Sequence, residues 1–300
     1  RSAGGTGETA WGTGEIEDLA TADPSGVEIA LFSAGGDRSK QYAPAFAAAG
    51  TVVVDNSSAF RMDPDVPLVV ADVNDHAVAN RPRGIIANPN CTTMDLMMAA
   101  GPLHRAAGLR AMVATSYQSV SGSGMKGIDE LIRQTDFFRP TPEALQVGGW
   151  EDPGSDVYLR PIGFNVIPFA GAEKEHGYTD EEWKLVYETR KILEAPGILV
   201  EPTCVRVPVM VGHGIAATMF FDRSLGLAEA IELLEAAPGV QVWQDTPPTP
   251  LDSAGIDDVL VGRIRETVGE AGGINLWVVG DNLRKGAALN AVQIAELVLG

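Results

Sequence analysis

The chain has 300 residues, of which 45% are hydrophobic and 21% charged, which excludes a disordered or fibrous protein and is typical of a globular one. Lys and Arg number 22 against 40 Asp and Glu, and the net charge of −18 excludes a general attraction to nucleic acid or anionic membranes. A chain of this length favours two domains.

The lack of a targeting segment and the small number of cysteines favour a cytoplasmic location for the protein. No apolar run is long enough to span a bilayer, and the first residues lack the apolar core of a signal peptide. The two cysteines, Cys91 and Cys204, are too few for a disulfide framework, and the histidines show no zinc-ligand spacing. We therefore expect a cytoplasmic protein without a metal site, in which a cysteine is either a core residue or a nucleophile.

The first residue is Arg1 rather than methionine, and residues 4–14 (GGTGETAWGTG) are rich in glycine. A phosphate-binding glycine loop needs a buried strand before it and a helix after it, and neither pattern is present. We therefore expect a hairpin or a surface loop in this segment. The chain is expected to begin within a domain.

Strands and helices then alternate. A predicted strand at residues 27–33 (VEIALFS) leads through glycines into an alanine-rich helix that ends at Gly50. Further strands are predicted at residues 51–55, 68–70 and 84–87, and a helix at residues 91–107. This alternation predicts a doubly wound, parallel α/β domain.

The second half has a different order of elements. Strands are predicted at residues 109–120, 198–211, 215–221, 259–266 and 274–280. Helices are predicted at residues 125–134, 181–193, 227–236 and 285–299. The strands 198–211 and 215–221 are close enough along the chain to pair antiparallel. This half is therefore expected to be an α+β domain with a broad mixed or antiparallel sheet.

Cys91 follows a predicted strand and opens a predicted helix, where the helix dipole and unpaired N–H groups stabilise a thiolate. A small core residue is the alternative interpretation. His213 lies between two strand-like runs, flanked by glycines that would leave its ring accessible. It is therefore a candidate acid/base partner for Cys91. The other histidines, His76, His104 and His176, lie in polar contexts and are expected at the surface.

Three cationic side chains suit an anionic ligand. Arg206 lies on an otherwise apolar strand, so it is expected to face a carboxylate, either of a ligand or of a structural ion pair. Arg61 follows the end of a strand, a position that suits a phosphate or an ordinary solvated arginine. Glu181 and Lys184 are three residues apart on one helix face, which is typical of a surface salt bridge.

Five segments, taken in order, resemble one family over essentially the whole chain. The segments are NPNCTT at 88–93, SYQSVSGSG at 116–124, EEWK…ETRKIL at 181–193, RVPVMVGH at 206–213 and DNLRKGAALN at 281–290. Together they resemble the aspartate-β-semialdehyde dehydrogenases. The resemblance implies a Rossmann-type dinucleotide-binding domain at residues 1–90 and 284–300, and an α+β catalytic and dimerisation domain at residues 91–283.

The resemblance also implies an activity: NADPH-dependent reductive dephosphorylation of L-aspartyl-4-phosphate to L-aspartate-4-semialdehyde, in lysine, methionine and threonine biosynthesis. Cys91 would attack the acyl phosphate, release phosphate and leave a thioester that hydride from NADPH reduces. His213 would be the acid/base, Gln118 would orient the substrate, and Asn90 would lie beside Cys91 near the phosphate.

Ligand contacts are implied on the same basis. Arg206 would bind the substrate α-carboxylate and Glu181 its amino group, with Gln118 also in contact. Arg61 and Lys184 would bind phosphate, the inorganic co-substrate or product. For NADP(H), the matching positions are Arg1, Ser2, Ser33, Ala34, Gly35, Ser121, Gly122 and Asn282. A homodimer or tetramer is implied, with a small-molecule substrate and neither nucleic acid nor membrane as partner.

The sequence departs from the family at its start. The family opens with a strand and a glycine-rich loop that cradles the cofactor pyrophosphate at a helix N-terminus, and no such segment precedes Arg1. Loss of that unit would expose strand edges and an apolar helix face. The 300-residue chain by itself is therefore expected to be unstable or inactive, and NADPH-dependent turnover by it would contradict this.

Three alternatives are weighed against this interpretation. N-acetyl-γ-glutamyl-phosphate reductase shares the fold and the thioester chemistry, but that family tends to have Gly-Cys-Tyr where this chain has Asn-Cys-Thr, and the segment from Arg206 to His213 favours the aspartyl enzyme. A non-catalytic homologue is suggested by the start of the chain alone. A glyceraldehyde-phosphate-type dehydrogenase is disfavoured by the motifs around Cys91.

Overall fold

The glycine-rich segment near the start forms the expected hairpin. The structure is a computed structural model that describes residues 3–9 and 12–300. Strands β1 (Thr6–Thr9) and β2 (Gly12–Glu15) pair antiparallel and are largely exposed.

A parallel sheet with helices on both faces follows. In the described chain its strands are β3 (Ile29–Phe32), β4 (Val52–Asp55) and β5 (Ile85–Ala87), in that order. Helix α1 (Gly36–Ala48) covers one face and the last helix of the chain the other. This is the predicted doubly wound arrangement. Residues 68–70 are not the predicted strand, because Leu68 makes a single parallel bridge to Ala87 and the backbone then turns away.

Helix α2 (Cys91–Ala107) runs through the centre of the molecule and is buried on nearly all sides, with the bounds that the sequence predicts. Asn90 caps its start, since its side-chain oxygen accepts a hydrogen bond from the Thr92 N–H at 3.0 Å. Gly108 ends the helix with a positive φ of 69°. The first residue of α2, Cys91, is therefore fixed at a capped helix terminus.

A larger mixed sheet packs against α2. Its strands are β6 (Leu109–Gln118), β7 (Leu199–Arg206), β8 (His213–Phe221), β9 (Val240–Trp243), β10 (Val259–Glu266) and β11 (Ile274–Gly280). In the described residues their order is β7-β6-β8-β11-β10-β9.

The pairing predicted between β7 and β8 is wrong, because β6 lies between them and pairs with both, parallel to β7 and antiparallel to β8. The chain reaches β7 through helix α5 (Asp180–Ile192), which packs on this strand and returns the chain parallel to β6. The strand β9 was not predicted, since it is short and only partly buried.

The remaining helices are α3 (Met125–Phe138), α4 (Pro142–Val147), α5 (Asp180–Ile192), α6 (Leu227–Glu235), α7 (Pro250–Ser253) and α8 (Leu289–Leu299). Helices α5, α6 and α7 pack on the mixed sheet, whereas α8 is the helix that covers the second face of the parallel sheet. A π-helical turn, Arg284–Ala288, leads into α8. The short helices α4 and α7 were not predicted. No helix of the described segments combines the length and apolarity required to cross a bilayer.

One charged side chain in the core stands out. Asp95, on α2, is fully buried, and neither carboxylate oxygen has a hydrogen-bond partner among the described residues. Burial raises the pKa of Asp95 well above its usual value; the charge of Asp281 adds to this, and that of Lys285 opposes it. Asp95 is therefore held as the neutral acid at pH values where it ionises in the unfolded chain.

Substituting Asp95→Asn should stabilise the protein. The folded chain retains the Asp95 proton to higher pH than the unfolded chain, so the free energy of unfolding falls as pH rises above about 4. Asparagine removes this cost, and we expect a gain of about 1–3 kcal/mol at neutral pH that shrinks near pH 4. Urea denaturation of both proteins at neutral pH and near pH 4 measures this difference in the free energy of unfolding. A loss of stability at neutral pH would show instead that Asp95 is ionised and paired.

Candidate active site

Two residues far apart in sequence meet at the N-terminus of α2. The Cys91 sulfur, Sγ, lies 3.3 Å from Nε2 of His213, although 122 positions separate them. Cys91 opens α2 and His213 opens β8, and α2 packs across the sheet that contains β8. The structure therefore brings together the predicted nucleophile and its predicted partner.

The imidazole of His213 is completely buried, which contradicts the accessible ring expected from the flanking glycines. The small glycines allow neighbouring side chains to pack closely around His213, since Gly214 packs directly against the Trp277 ring. Burial, with the nearby charge of Arg206, lowers the pKa of His213 to about 3. The ring is therefore neutral at physiological pH.

A backbone hydrogen bond selects the tautomer of His213. The Ser119 N–H donates to Nδ1 at 3.0 Å. A backbone N–H can only donate, so Nδ1 carries no proton and the neutral ring holds its proton on Nε2, facing Sγ of Cys91. Sequence reasoning missed Ser119, although it directly follows the predicted site residue Gln118.

The thiol of Cys91 is protonated at rest. Burial, then the negative charge of Glu181, raises its pKa to about 12, while the cations Arg61 and Arg206 act in the opposite direction. The expectation of a resting thiolate at the helix start therefore does not hold here, because burial and the Glu181 carboxylate outweigh the helix terminus.

Arg206 lies at the end of β7, in register with Gln118 on β6. Its guanidinium is nearly buried, donates from Nη1 to the Ser119 carbonyl at 2.7 Å and lies over the Tyr158 ring. Its Nε has no partner, and no carboxylate of the described residues lies within ion-pair distance. The arrangement favours a ligand carboxylate over a structural ion pair.

The predicted residues Gln118 and Gly122 contact different side chains of the site. Gln118 is buried and donates from Nε2 to the Thr92 hydroxyl at 2.9 Å. Gly122 lies so close that a Cβ there would be 3.1 Å from Nη1 of Arg206 and 3.4 Å from Cε1 of His213. A larger residue at this position would therefore push both side chains.

Glu181 and Asn90 extend the site towards α5. The Asn90 amide donates to Oε2 of Glu181 at 3.0 Å, and the Lys184 ammonium donates to Oε1 of Glu181 at 2.6 Å and to Asp180 at 2.8 Å. The expected Glu181–Lys184 pair is thus present. Glu181 and Arg206 line a common cavity of about 560 Å³.

Arg61 is buried rather than solvated. Its guanidinium donates to the Asn88 carbonyl at 2.9 Å, to the Asn56 carbonyl at 3.2 Å and to the carboxylate of Glu188 at 3.0 Å. Arg61 and Lys184 line a second cleft, of about 280 Å³. Sequence reasoning missed Glu188, although it lies one helical turn after Lys184.

The positions expected to contact the cofactor separate into two groups. Ser33 and Ala34 follow β3, and Gly35, with a φ of 88°, opens α1 without a side-chain cap and with open space beside it. An uncapped helix N-terminus at the carboxyl end of a parallel strand fits a dinucleotide phosphate. Arg1 and Ser2 lie outside the described residues.

The second group, Ser121 and Asn282, is buried behind His213. The Asn282 side-chain oxygen accepts hydrogen bonds from the Ser119 and Ser121 hydroxyls and from the Gly212 N–H, at 2.9–3.2 Å. These residues therefore connect the loops that hold His213, and their contact with a cofactor stays a prediction.

The remaining histidines lie away from this cluster. His76 is exposed and pairs with Glu194 at 2.8 Å, and His176 is exposed. His104 is half-buried rather than solvated, because its Nδ1 accepts a hydrogen bond from the Leu109 N–H. Across the part of the chain that the structure describes, no group of His, Cys, Asp and Glu is placed to hold a metal ion.

Two family models match the chain. The NAD-binding domain of semialdehyde dehydrogenases matches residues 2–81, and their dimerisation domain matches residues 101–285. With a cysteine and histidine paired at the centre, the fold and the site define a semialdehyde dehydrogenase with a nicotinamide-nucleotide-binding domain.

Comparison with individual proteins shows which semialdehyde dehydrogenases the chain is most similar to among those compared. An aspartate-semialdehyde dehydrogenase of Streptomyces akiyoshiensis is 54% identical over 94% of this chain and 84% of its own length, and one of Mycolicibacterium smegmatis is 51% identical over 95% and 84%. The crystal structure of aspartate semialdehyde dehydrogenase II complexed with ASA from Vibrio cholerae has a TM-score of 0.91 and 45% identity, covering 100% of this chain and 87% of its own. The chain belongs to the aspartate-semialdehyde dehydrogenase family, and the N-acetyl-γ-glutamyl-phosphate reductase alternative is not favoured.

Alkylation of Cys91 tests its protonation state. Only the thiolate reacts, so a pKa of about 12 predicts that the rate with iodoacetamide rises about tenfold per pH unit between about pH 6 and 10, without a plateau. Loss of activity and the mass of the adduct measure the rate. Cys204, which is fully buried, should stay unmodified in a Cys91→Ala variant. A plateau below about pH 8 would contradict the resting thiol.

Proposed function

We propose that this member of the family converts L-aspartyl-4-phosphate into L-aspartate-4-semialdehyde and phosphate through a thioester on Cys91. The supporting observation is the 3.3 Å contact of Cys91 Sγ with a buried, neutral His213, beside the guanidinium of Arg206, whose Nε has no hydrogen-bond partner.

The first step is attack of Cys91 on the acyl carbon. The S–C bond forms as the C–O bond to phosphate breaks, and the thiol proton leaves with the departing phosphate as hydrogen phosphate. His213 cannot readily take that proton, because its Nε2 is already protonated and its pKa is about 3. Its Nε2–H instead donates a hydrogen bond to the developing thiolate and then to the carbonyl-derived oxygen, a role for neutral imidazole rather than for the expected acid/base.

Reduction of the thioester needs a hydride. NADPH, when bound, supplies it. Addition to the acyl carbon gives a tetrahedral alkoxide on Cys91, which the Nε2–H of His213 stabilises. The alkoxide collapses to the aldehyde and the Cys91 thiolate, and the thiolate then takes a proton from solvent.

Substrate recognition is assigned to the larger cavity. Arg206 binds the α-carboxylate through its free Nε and neighbouring N–H groups, which suits a bidentate pair. Glu181 binds the α-amino group from the other wall of the same cavity. Gln118 orients the reacting carbonyl, and Asn90 lies next to the departing phosphate.

Phosphate binding is assigned to Arg61 and Lys184, which line the adjoining cleft. Arg61 is held by its bonds to the Asn88 and Asn56 carbonyls and to Glu188, and its remaining N–H groups are free for phosphate oxygens. The Lys184 ammonium would exchange a carboxylate partner for phosphate. In an acidic protein such local cations are needed to hold an anion.

The cofactor is assigned as NADP(H). Ser33, Ala34 and Gly35 at the start of α1 would hold its phosphates, with Gly122, Ser121 and Asn282 near the nicotinamide end. The Arg1 and Ser2 positions would contact the 2′-phosphate that distinguishes NADP.

Assembly and location are assigned as follows. The dimerisation-domain match supports a homodimer, and the exposed apolar side chains Val113 and Leu199 on the mixed sheet suit its interface. A tetramer, the cytoplasmic location, and the division into residues 1–90 with 284–300 and residues 91–283 remain proposals.

The experiment is phosphate-dependent reduction of NADP with L-aspartate-4-semialdehyde by the full-length protein. Cys91→Ser should abolish turnover. Arg206→Lys should raise the KM for the aldehyde about 10- to 100-fold, because the bidentate pair is lost, while the KM for phosphate changes little. Arg223→Lys, at an exposed arginine paired with Glu229, is the matched control.

Other outcomes select other functions. Turnover of N-acetyl-glutamate semialdehyde in preference to aspartate semialdehyde would make the protein a reductase of the related family. Cofactor binding without turnover of either aldehyde would favour a non-catalytic homologue.

A further inference from the structure

One buried carboxylate joins the two halves of the site. Glu188 on α5 is only 1% exposed, and both of its oxygens are in use. Oε1 accepts from Nη1 of Arg61 at 3.0 Å, and Oε2 accepts from the backbone N–H of Asn90 at 2.7 Å. Its partners are thus an arginine assigned to phosphate and the residue that precedes the nucleophile.

These bonds close a ring around the turn before Cys91. Nε of Arg61 donates to the carbonyl of Asn88, and the N–H of Asn90 donates to Glu188, which in turn accepts from Arg61. The ring therefore fixes the turn and the guanidinium relative to each other, and Cys91 follows it directly.

The two oxygens of the Glu188 side chain are the acceptors that this ring requires. Both partners are N–H donors, and the two carboxylate oxygens can accept from both at once. A glutamine would turn its own NH₂ group towards one of the donors and leave a buried N–H unpaired.

We propose that Glu188 is a positioning residue that holds the phosphate on Arg61 in line with the Cys91 thioester. This role rests on the proposed function of Arg61. Glu188 touches neither reacting atom, so it acts through alignment, and misalignment of reacting groups by about 1 Å can cost a factor of 100 in rate.

The role separates two steps of the reverse reaction. When the Cys91 sulfur adds to the aldehyde carbon and that carbon loses its hydride to NADP, the products are the thioester, one NADPH per site and one proton released to solvent. This step does not need phosphate. Attack of a phosphate oxygen on the thioester carbon, which breaks the C–S bond and returns the proton to sulfur, depends on Arg61. Loss of Glu188 should therefore slow the second step and spare the first.

Stopped-flow measurement of NADPH formation by Glu188→Gln tests this. Without phosphate, the rate and amplitude of the first-turnover burst should stay within about threefold of the unmodified protein; with phosphate, steady-state turnover should fall about 10- to 100-fold. Glu194→Gln, at an exposed glutamate just after α5, is the matched control and should match the unmodified protein in both phases. Thermal unfolding of each variant is recorded alongside.

Each remaining outcome decides between the proposals. If Glu188→Gln has normal steady-state turnover, the positioning role is overturned. It is also overturned if the burst falls as much as the steady-state turnover does. If the burst falls in this way and the melting temperature is lowered as well, the role of Glu188 is structural. Absence of a burst in the unmodified protein overturns the proposed function and the positioning role with it.

Discussion

The hydrogen bond from the Ser119 backbone to Nδ1 of His213 is the constraint on which the chemistry depends. It follows from strand register, because β6 and β8 pair antiparallel with Tyr117 opposite Gly214, and this places Ser119 beside the first residue of β8. Since the donor belongs to the backbone, no side-chain change can reverse it. The proton of the neutral ring is therefore on Nε2, and α2, packed across the same sheet, brings Cys91 to that proton.

Charge in the site is balanced locally in a protein that is strongly acidic overall. Burial disfavours the Cys91 thiolate most strongly and the charge of Glu181 adds to this effect, whereas Arg61 and Arg206 favour the thiolate. The thiol is thus kept protonated until a substrate arrives. The neutral His213 ring suits such a site as a hydrogen-bond donor. A permanent imidazolium would place a second buried positive charge beside Arg206, whose own charge lowers the pKa of His213.

Local signals predicted much of the fold. The helix 91–107 was confirmed at both ends because Asn90 caps its start and Gly108 supplies a positive φ at its end. The strands at 259–266 and 274–280 were confirmed for a similar reason, since their apolar patterns are bounded by polar turns. The order of β6, β7 and β8 in the sheet could not be predicted from the sequences of these strands. It depends on the side of β6 to which helix α5 brings the chain before β7 begins.

The site was predictable where residue type alone indicates chemistry, as for Cys91, His213 and an arginine on an apolar strand. What was missed depends on tertiary contacts. Burial of His213 comes from packing around Gly214 and Trp277, and Glu188 acquires its role from partners 98 and 127 positions away. Ser119 acts through its backbone, so its residue type carried no signal.

The most direct test of the central claim is nitrogen NMR of the histidine rings in ¹⁵N-labelled protein, with His213→Gln used to assign the signals. We expect a neutral His213 ring protonated on Nε2 throughout about pH 5–8. An imidazolium near neutral pH, or a neutral ring protonated on Nδ1, would contradict it and restore His213 as the base that takes the thiol proton.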